Sequence, residues 1–532
     1  MGSRTAWKLS RRSALSATAV TTRLLARAVF VLGLASLLAG CFLWATKADS
    51  RLVVQAILAS CLVTIGAGVA VLRGRVQDIG LVLFLLVDWV RGVLVVTIDA
   101  TYGPPEFHFR SVSSYESTVA QNWVALAFST SVVLFALALP FRRSANQRDE
   151  LVLSDTETRH TKPGLLIFIG LIGLVIRFPS LGAASAYLSG SYEELSRAAA
   201  GPIGYAGSVM RTMLPIGLFI LMTDRTRSKL LKLVCFVLLG PLALLALASF
   251  SLNRASIIFP VGAMVAAYAL TVAPLRLRAW VSMGVAAALA FLVLGGVRTT
   301  AFNVNGGQDS TAGPVDIWGS LRETVELYGQ SPYLPGIMHD ESIAGRFSAI
   351  QPINSVLAAV PGIGREARLN SGTSLYNYAI YGKSGIQDQI VPVWAEVNAA
   401  LGLSGLILAA LVLVLAGRFA GSWLLNHPTP LGAYAAVLSS LWIAQASISS
   451  IQAITQAFLY SVIPAVLLAA LARARQLSQT VLAQPTRPAR SLRPRHAAGS
   501  QQRPPAQIRR PLDTGPRVGG SGGFANQITG PS

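Results

Sequence analysis

The chain has 532 residues, of which 53% are apolar and only 13% charged, with a formal net charge of +21 and a mean hydropathy of +0.55. This composition excludes an ordinary soluble domain, and continuous apolar runs without alternating polar residues exclude a membrane β-barrel. The basic residues sit between the apolar runs, so they predict topology and not a nucleic-acid partner.

Crossing a hydrocarbon layer about 30 Å thick takes about 20 apolar residues in a helix, and about twelve runs qualify. They begin near Leu24, Leu52, Ile79, Val119, Leu165, Ile203, Leu230, Ala255, Ala279, Val393, Leu431 and Ala453. The expected fold is all-α: a polytopic membrane domain over 1–472, with a large extracytoplasmic loop at 299–391, and a basic tail over 473–532. Arg4, Lys8, Arg11 and Arg12 precede the first run, and Arg73 with Arg75 follow the second. Arg142, Arg143 and Arg148 follow the fourth, Arg225, Arg227 and Lys229 the sixth, Arg276 and Arg278 the eighth, and Arg418 the tenth. With twelve spans all these clusters share one side, and the positive-inside rule puts both termini in the cytoplasm and 299–391 outside the cytoplasmic membrane. The first run is too long for a removable signal region and reads as an uncleaved helix. Cys41, Cys61 and Cys235 lie within runs and read as small buried hydrophobes.

Asp88 and Arg91 lie three apart on one face of the third span. An ionisable group there costs at least about 2.5 kcal/mol, which makes both functional candidates; the competing reading is a mutually neutralising structural pair. Two smaller external loops, Asp99 to Ser117 and Phe178 to Pro202, frame an external site. Arg177, at the end of the fifth span, reads as snorkelling to headgroups, whereas Arg211 sits two turns into the sixth. Arg254 opens the eighth span after a short turn, and Arg298 closes the ninth.

In the large loop, apolar spacing predicts amphipathic helices over Val315 to Gly329 and Ile343 to Val360, the second bent at Pro352 and stopped by Pro361 and Gly362. Lying on the membrane face, they would roof a cavity between the spans. His339, Asp340 and Glu341 are adjacent, and adjacent side chains make a poor chelate, so metal-independent chemistry without a cofactor is expected. Arg211, Arg254, Arg298 and Arg346 could converge on one anionic group, since guanidinium matches phosphate oxygens by its fork of donors; binding of lipid headgroups is the competing reading. Glu396, about one turn into the tenth span, or His339 could deprotonate an acceptor hydroxyl beside that cationic pocket. A solvated loop histidine is the alternative for His339. The arginine-rich tail cannot form a core and either meets the anionic cytoplasmic leaflet or stays solvated.

The order Arg346-Phe347-Ser348, Val360-Pro361-Gly362, Gly372-Thr373-Ser374, then Pro392 with Glu396, Asn398, Gly402 and Gly405, resembles the O-antigen and oligosaccharide repeat-unit polymerases. Asn253-Arg254 is similar to the family's arginine at the head of that span. The resemblance covers roughly Arg254 to Gly417 by motif and the whole chain by topology. One departure is that the arginine-to-glycine spacing of external loops in some members is not found after Arg298, Arg322 or Arg346. The resemblance implies a metal-independent glycosyltransferase of cell-surface polysaccharide biosynthesis. A polyprenyl-pyrophosphate-linked oligosaccharide is transferred onto another lipid-linked unit outside the membrane. Arg211, Arg254, Arg298 and Arg346 then hold the pyrophosphate, and Glu396 or His339 serves the acceptor. The implied partners are the lipid-linked substrate, membrane lipids, a flippase and a chain-length regulator. An O-antigen-ligase-like transferase would share these features. A transporter or flippase would need a charged path across the membrane, and the absence of an internal repeat gives it no support.

Overall fold

The computed structural model describes residues 2–46, 50–104, 113–139, 162–179, 202–224, 226–248, 254–272, 282, 322, 325–327, 329–339, 343, 345–360, 364–381, 390–426 and 429–483. The chain divides into two compact units after Thr480; of the second, only 481–483 are described. All of the expected ninth span but residue 282, with Arg298, Asp340, Glu341, Pro361, Gly362 and residues 484–532 of the basic tail, lies outside the described residues.

Every regular element among the described residues is helical. The long helices are α1 (Gly2–Thr46), α2 (Arg51–Arg73), α3 (Ile79–Trp89), which passes through a π-turn at Val90–Val95 into α4 (Val96–Tyr102), and α5 (Tyr115–Ala138). Then come α6 (Pro163–Arg177), α7 (Pro202–Arg211), α8 (Met213–Thr223), α9 (Lys229–Leu247) and α10 (Arg254–Thr271). Short helices α11 (Ile350–Leu357), α12 (Gly364–Leu369) and α13 (Gly372–Tyr381) precede α14 (Val393–Asn426), α15 (Pro430–Ala444), α16 (Ile451–Ala457) and, after a second π-turn, α17 (Ile463–Ala483). Among the described residues, eight helical stretches are long and apolar enough to cross a membrane: Thr22–Thr46, Arg51–Arg73, Ile79–Tyr102, Tyr115–Ala138, Ile203–Thr223, Lys229–Leu247, Val393–Leu424 and Ile451–Arg475. Two further apolar helices, Pro163–Arg177 and Ala255–Thr271, are shorter.

Helix starts follow local chemistry: Ser114, Ser228, Thr429 and Ser450 each accept the backbone N–H three residues on, as N-caps do. Tertiary packing then sorts the helices. The most apolar windows of α1 and α9 are each only 17% buried, against 72% for Ile203–Thr223, so the former present their apolar faces outward, where lipid satisfies them. At 15 residues α15 is short, yet it is buried along nearly its whole length and packs on α3, α10 and α14. It forms the centre of the largest apolar cluster, with Phe219, Tyr434 and Trp442.

Contacts between helices define two ends of the bundle. At one end, Arg73 donates to the carbonyls of Ala136 (2.9 Å) and Leu137 (3.0 Å), and Arg418 to those of Ala136 (3.2 Å) and Leu139 (2.6 Å). Two guanidiniums thus cap the C-terminus of α5, where the helix dipole is negative. Asp78 lies beside them; burial pushes its carboxyl above the usual range, and the charges of Arg73, Arg75 and Arg418 oppose the rise.

The other end carries the described part of the large loop. Residues 329–339 are seated on α4 and α5: Ser331 Oγ donates to Asp99 Oδ2 (2.7 Å), Ser113 Oγ to the Tyr333 carbonyl (2.9 Å), and Tyr376 Oη to the Leu334 carbonyl (2.6 Å). Arg322 pairs with Glu326 at 2.6 Å and donates to the Gly103 carbonyl at 3.0 Å. Burial, with the charge of Asp99 beside it, pushes the Tyr333 phenol up to about 12. Of the two expected loop helices, the first is described only at 322, 325–327 and 329. The second begins at Ile350 and not at Ile343, because Phe347 turns into the core while the Ser348 N–H and hydroxyl donate to Gln351 Oε1 (2.7 and 2.8 Å). That is half of a capping box, and it leaves Pro352 in the first turn, where proline is tolerated.

Between the two ends, Asp88 and Arg91 form an ion pair at 2.9 Å with side chains 0% and 3% exposed. Ser129 Oγ donates to Asp88 Oδ1 (2.8 Å), Arg91 also reaches Asn122 Oδ1 (3.4 Å), and Asn122 donates to Gln55 Oε1 (2.9 Å). The guanidinium lies 5.7 Å from the Trp394 ring centroid. Residues from α2, α5 and α14 therefore surround a charge pair that the sequence showed only as two residues on one face, and the arrangement fits the structural reading.

Candidate functional site

Helix α14 is broken near its start. Gly402 has φ +63° and ψ −150°, a region closed to residues with a side chain, so residues 393–401 form a separate piece that carries Glu396. Trp394 and Ala395 in this piece pack with Phe84, Phe128, Met338 and Tyr376, and the Trp394 indole N–H donates to the Ser447 carbonyl at 2.9 Å. This packing fixes the orientation of the piece and turns Glu396 inward, at 0% exposure.

Two loop helices, α11 and α13, close over that carboxylate. Ser355, on α11, donates a short hydrogen bond to Glu396 Oε1, and the Gly372 N–H at the start of α13 donates to Ser355 Oγ at 3.2 Å. Gly372 approaches so closely that a Cβ there would lie 2.6 Å from Glu396 Cδ and 2.7 Å from Cγ. Ser371, Thr373, Ser374 and Asn377 are also buried in the same segment. Ser371 and Ser374 both donate to the Arg368 carbonyl, at 2.8 and 2.5 Å, and Ser371 Oγ lies 3.5 Å from Gln452 Oε1. Glu396 Oε2 and Thr373 Oγ1 have no hydrogen-bond partner among the described residues. A buried polar atom left so costs about 1–3 kcal/mol, and such groups mark places where a ligand, water or reaction is accommodated.

A cationic cluster lies at the same end of the bundle. The Arg177 and Arg211 guanidinium carbons sit 6.0 and 5.8 Å from the Phe178 ring centroid, within cation–π range. Helices α6 and α7 meet backbone to backbone there, since a Cβ on Gly173 would lie 2.6 Å from the Met210 carbonyl carbon. Arg211 also donates to the Ala248 carbonyl at the end of α9 (2.8 Å), so part of its fork is committed to the fold. Tyr205, on α7, stacks on Tyr460 at 6.4 Å, and Tyr460 Oη donates to the Ala359 carbonyl just after α11 (3.2 Å). Arg177 and Arg368 are both near enough to Tyr460 to act on it electrostatically. Contacts therefore link α7, the helix that carries Arg211, through Tyr205 and Tyr460 to the segment just after the helix that covers Glu396.

Of the residues singled out from sequence, the structure joins Arg211 and Glu396 to this end through intermediaries. His339 ends a 3-10 turn, Pro335–His339, and is exposed; Ile337 and Met338 before it pack in the cluster that holds Trp394. Arg346 is exposed beside α11. Arg254 is the first residue of α10, as expected, with its side chain outside the described residues, as is the whole of Arg298. Sequence reasoning passed over Ser355, Tyr205, Tyr460 and Arg368, and treated Arg177 as an anchor. Ser355 had a signal, being a lone hydroxyl opposite an apolar stripe; the stacking of Tyr205 on Tyr460 had none.

Among the described residues no three His, Cys, Asp or Glu side chains group so as to hold a metal ion. No family model, curated protein or solved structure matches this chain.

Proposed function

We propose that the chain is a polysaccharide polymerase that transfers a polyprenyl-pyrophosphate-linked oligosaccharide onto a second lipid-linked repeat unit at the outer face of the cytoplasmic membrane. The observation that carries this reading is the buried polar cluster around Glu396, with its unpartnered Oε2, at the end of an apolar bundle where Arg177 and Arg211 also lie. Twelve spans with cytoplasmic termini would put that end outside. In the proposed transfer, an acceptor hydroxyl oxygen bonds to the donor's anomeric carbon, the bond from that carbon to the pyrophosphate oxygen breaks, and the pyrophosphate leaves with the electron pair. Glu396 takes the hydroxyl proton, with His339 as the other base on offer. Arg211, assisted by Arg177, Arg254, Arg298 and Arg346, neutralises the leaving group. A flippase would deliver the donor and a chain-length regulator would end the polymer. No cofactor is called for.

The test is the size-resolved profile of lipid-linked glycans in cells lacking the protein and in cells carrying Glu396→Gln or Arg211→Ala. The expected result is a single lipid-linked repeat unit accumulating on the outer side with loss of long polymer. Long lipid-linked polymer left untransferred would identify a ligase, and units trapped inside a flippase. An unchanged profile would remove glycan assembly from consideration.

A further inference from the structure

Helix α11 has two faces with opposite chemistry. At the helical step of about 100° per residue, Ile350, Ile353, Val356 and Leu357 fall within an arc of about 120°, and Ser355 lies on the far side. The first three are 55%, 56% and 42% exposed, while Ser355 is fully buried against Glu396. The helix packs on the heads of α14 and α16, the first turns of two membrane-length stretches, Val393–Leu424 and Ile451–Arg475. Its outward face therefore lies where those stretches enter hydrocarbon. Nearby groups suit the same boundary: Leu369 is 55% exposed on α12, Tyr378 is 43% exposed on α13, and Leu403, just past the break in α14, is 64% exposed. Arg346 before α11 and Arg368 on α12 are exposed cations. An apolar stripe bordered by cations and an amphipathic aromatic is the pattern of a helix lying in a membrane interface.

We propose that α11 is a membrane-anchored cover: its stripe of Ile350, Ile353 and Val356 inserts among lipid acyl chains, Arg368 meets anionic headgroups, and the bilayer thereby holds Ser355 on Glu396. The occupant of the stripe is bilayer lipid, because the stripe lies at span-entry level and its flanks carry charge opposite to lipid phosphate. This inference stands apart from the glycan reading and is tested without it.

The full-length protein, with Cys41, Cys61 and Cys235 replaced by alanine, would carry single nitroxide labels at Ile350→Cys, Ile353→Cys, Val356→Cys and, as the exposed control off the stripe, Ser348→Cys. After reconstitution in phosphatidylethanolamine–phosphatidylglycerol vesicles, collisions with oxygen, which partitions into lipid, are compared with those of a water-soluble nickel chelate. The expected oxygen-to-nickel ratio is above one at 350, 353 and 356 and below one at 348. A ratio below one at 353 would overturn the proposal by placing the stripe in water. Exclusion of both reagents at 353 would overturn it in favour of protein, such as a second copy. These side chains point away from the core, so labelling them leaves the fold intact.

Discussion

Adding one methyl group at Gly372 is the sharpest perturbation of the pocket. The new Cβ would meet Glu396 Oε1, with Cδ and Cγ at 2.6 and 2.7 Å, where ordinary contacts begin well beyond 3 Å. The carboxylate cannot shift without leaving Ser355 Oγ, and it is already fully buried. Overpacking costs about 1–3 kcal/mol and a buried group left unpaired costs about 1–3 kcal/mol, so Gly372→Ala should destabilise the protein by about 2–6 kcal/mol. Ser355→Ala adds no bulk but removes the bond to Glu396 and the acceptor of the Gly372 N–H, and should cost about 1–3 kcal/mol. Gly240→Ala is the control, because a Cβ there meets nothing within 4 Å and alanine favours helix by about 1 kcal/mol. The assay is thermal stability of the purified protein in detergent, read as the loss of the monodisperse chromatographic peak. Stability at the wild-type level in Gly372→Ala would refute the close packing of α13 on Glu396.

Gly402→Ala forces a side chain into an essentially glycine-only conformation at φ +63° and ψ −150° and should cost about 1–3 kcal/mol, seen as a lowered thermal midpoint. Arg91→Met leaves Asp88 charged and buried and should cost about 3–5 kcal/mol, whereas the double change with Asp88→Leu should recover most of that loss in the same assay. Arg418→Ala removes a cation from the C-terminus of α5 and should cost about 1 kcal/mol, less than the loss at Arg91. Burial alone would raise the Asp224 carboxyl, but the hydroxyl and N–H of Thr226 and the charges of Arg227 and Lys232 outweigh it and hold the group below the usual carboxylate range. The stability it adds is present above the unfolded-chain value and is lost as pH falls through the folded value. Asp224→Asn should therefore flatten the acid limb of a stability-against-pH profile, and an unchanged limb would contradict the Thr226 contacts.

The apolar runs by themselves determined that the chain is helical and membrane-length, because a hydrocarbon layer demands length and continuity, and both are properties of one segment at a time. The start of α10 at Arg254 and the shared face of Asp88 and Arg91 are likewise local and could be read along the chain, whereas the break of α14 at Gly402 was not. What surrounds the charge pair was not local: Gln55, Asn122 and Trp394 come from three other helices. The pocket was half legible, since Glu396 and the Gly372-Thr373-Ser374 segment were picked out, but their meeting depended on how a loop folds back over a helix head. Only tertiary packing turned Ser355 inward, drew Arg177 beside Arg211 on one ring, and left Ile353 facing out. Side-chain chemistry says what a residue can do, whereas the company it keeps is decided by contacts between segments hundreds of residues apart.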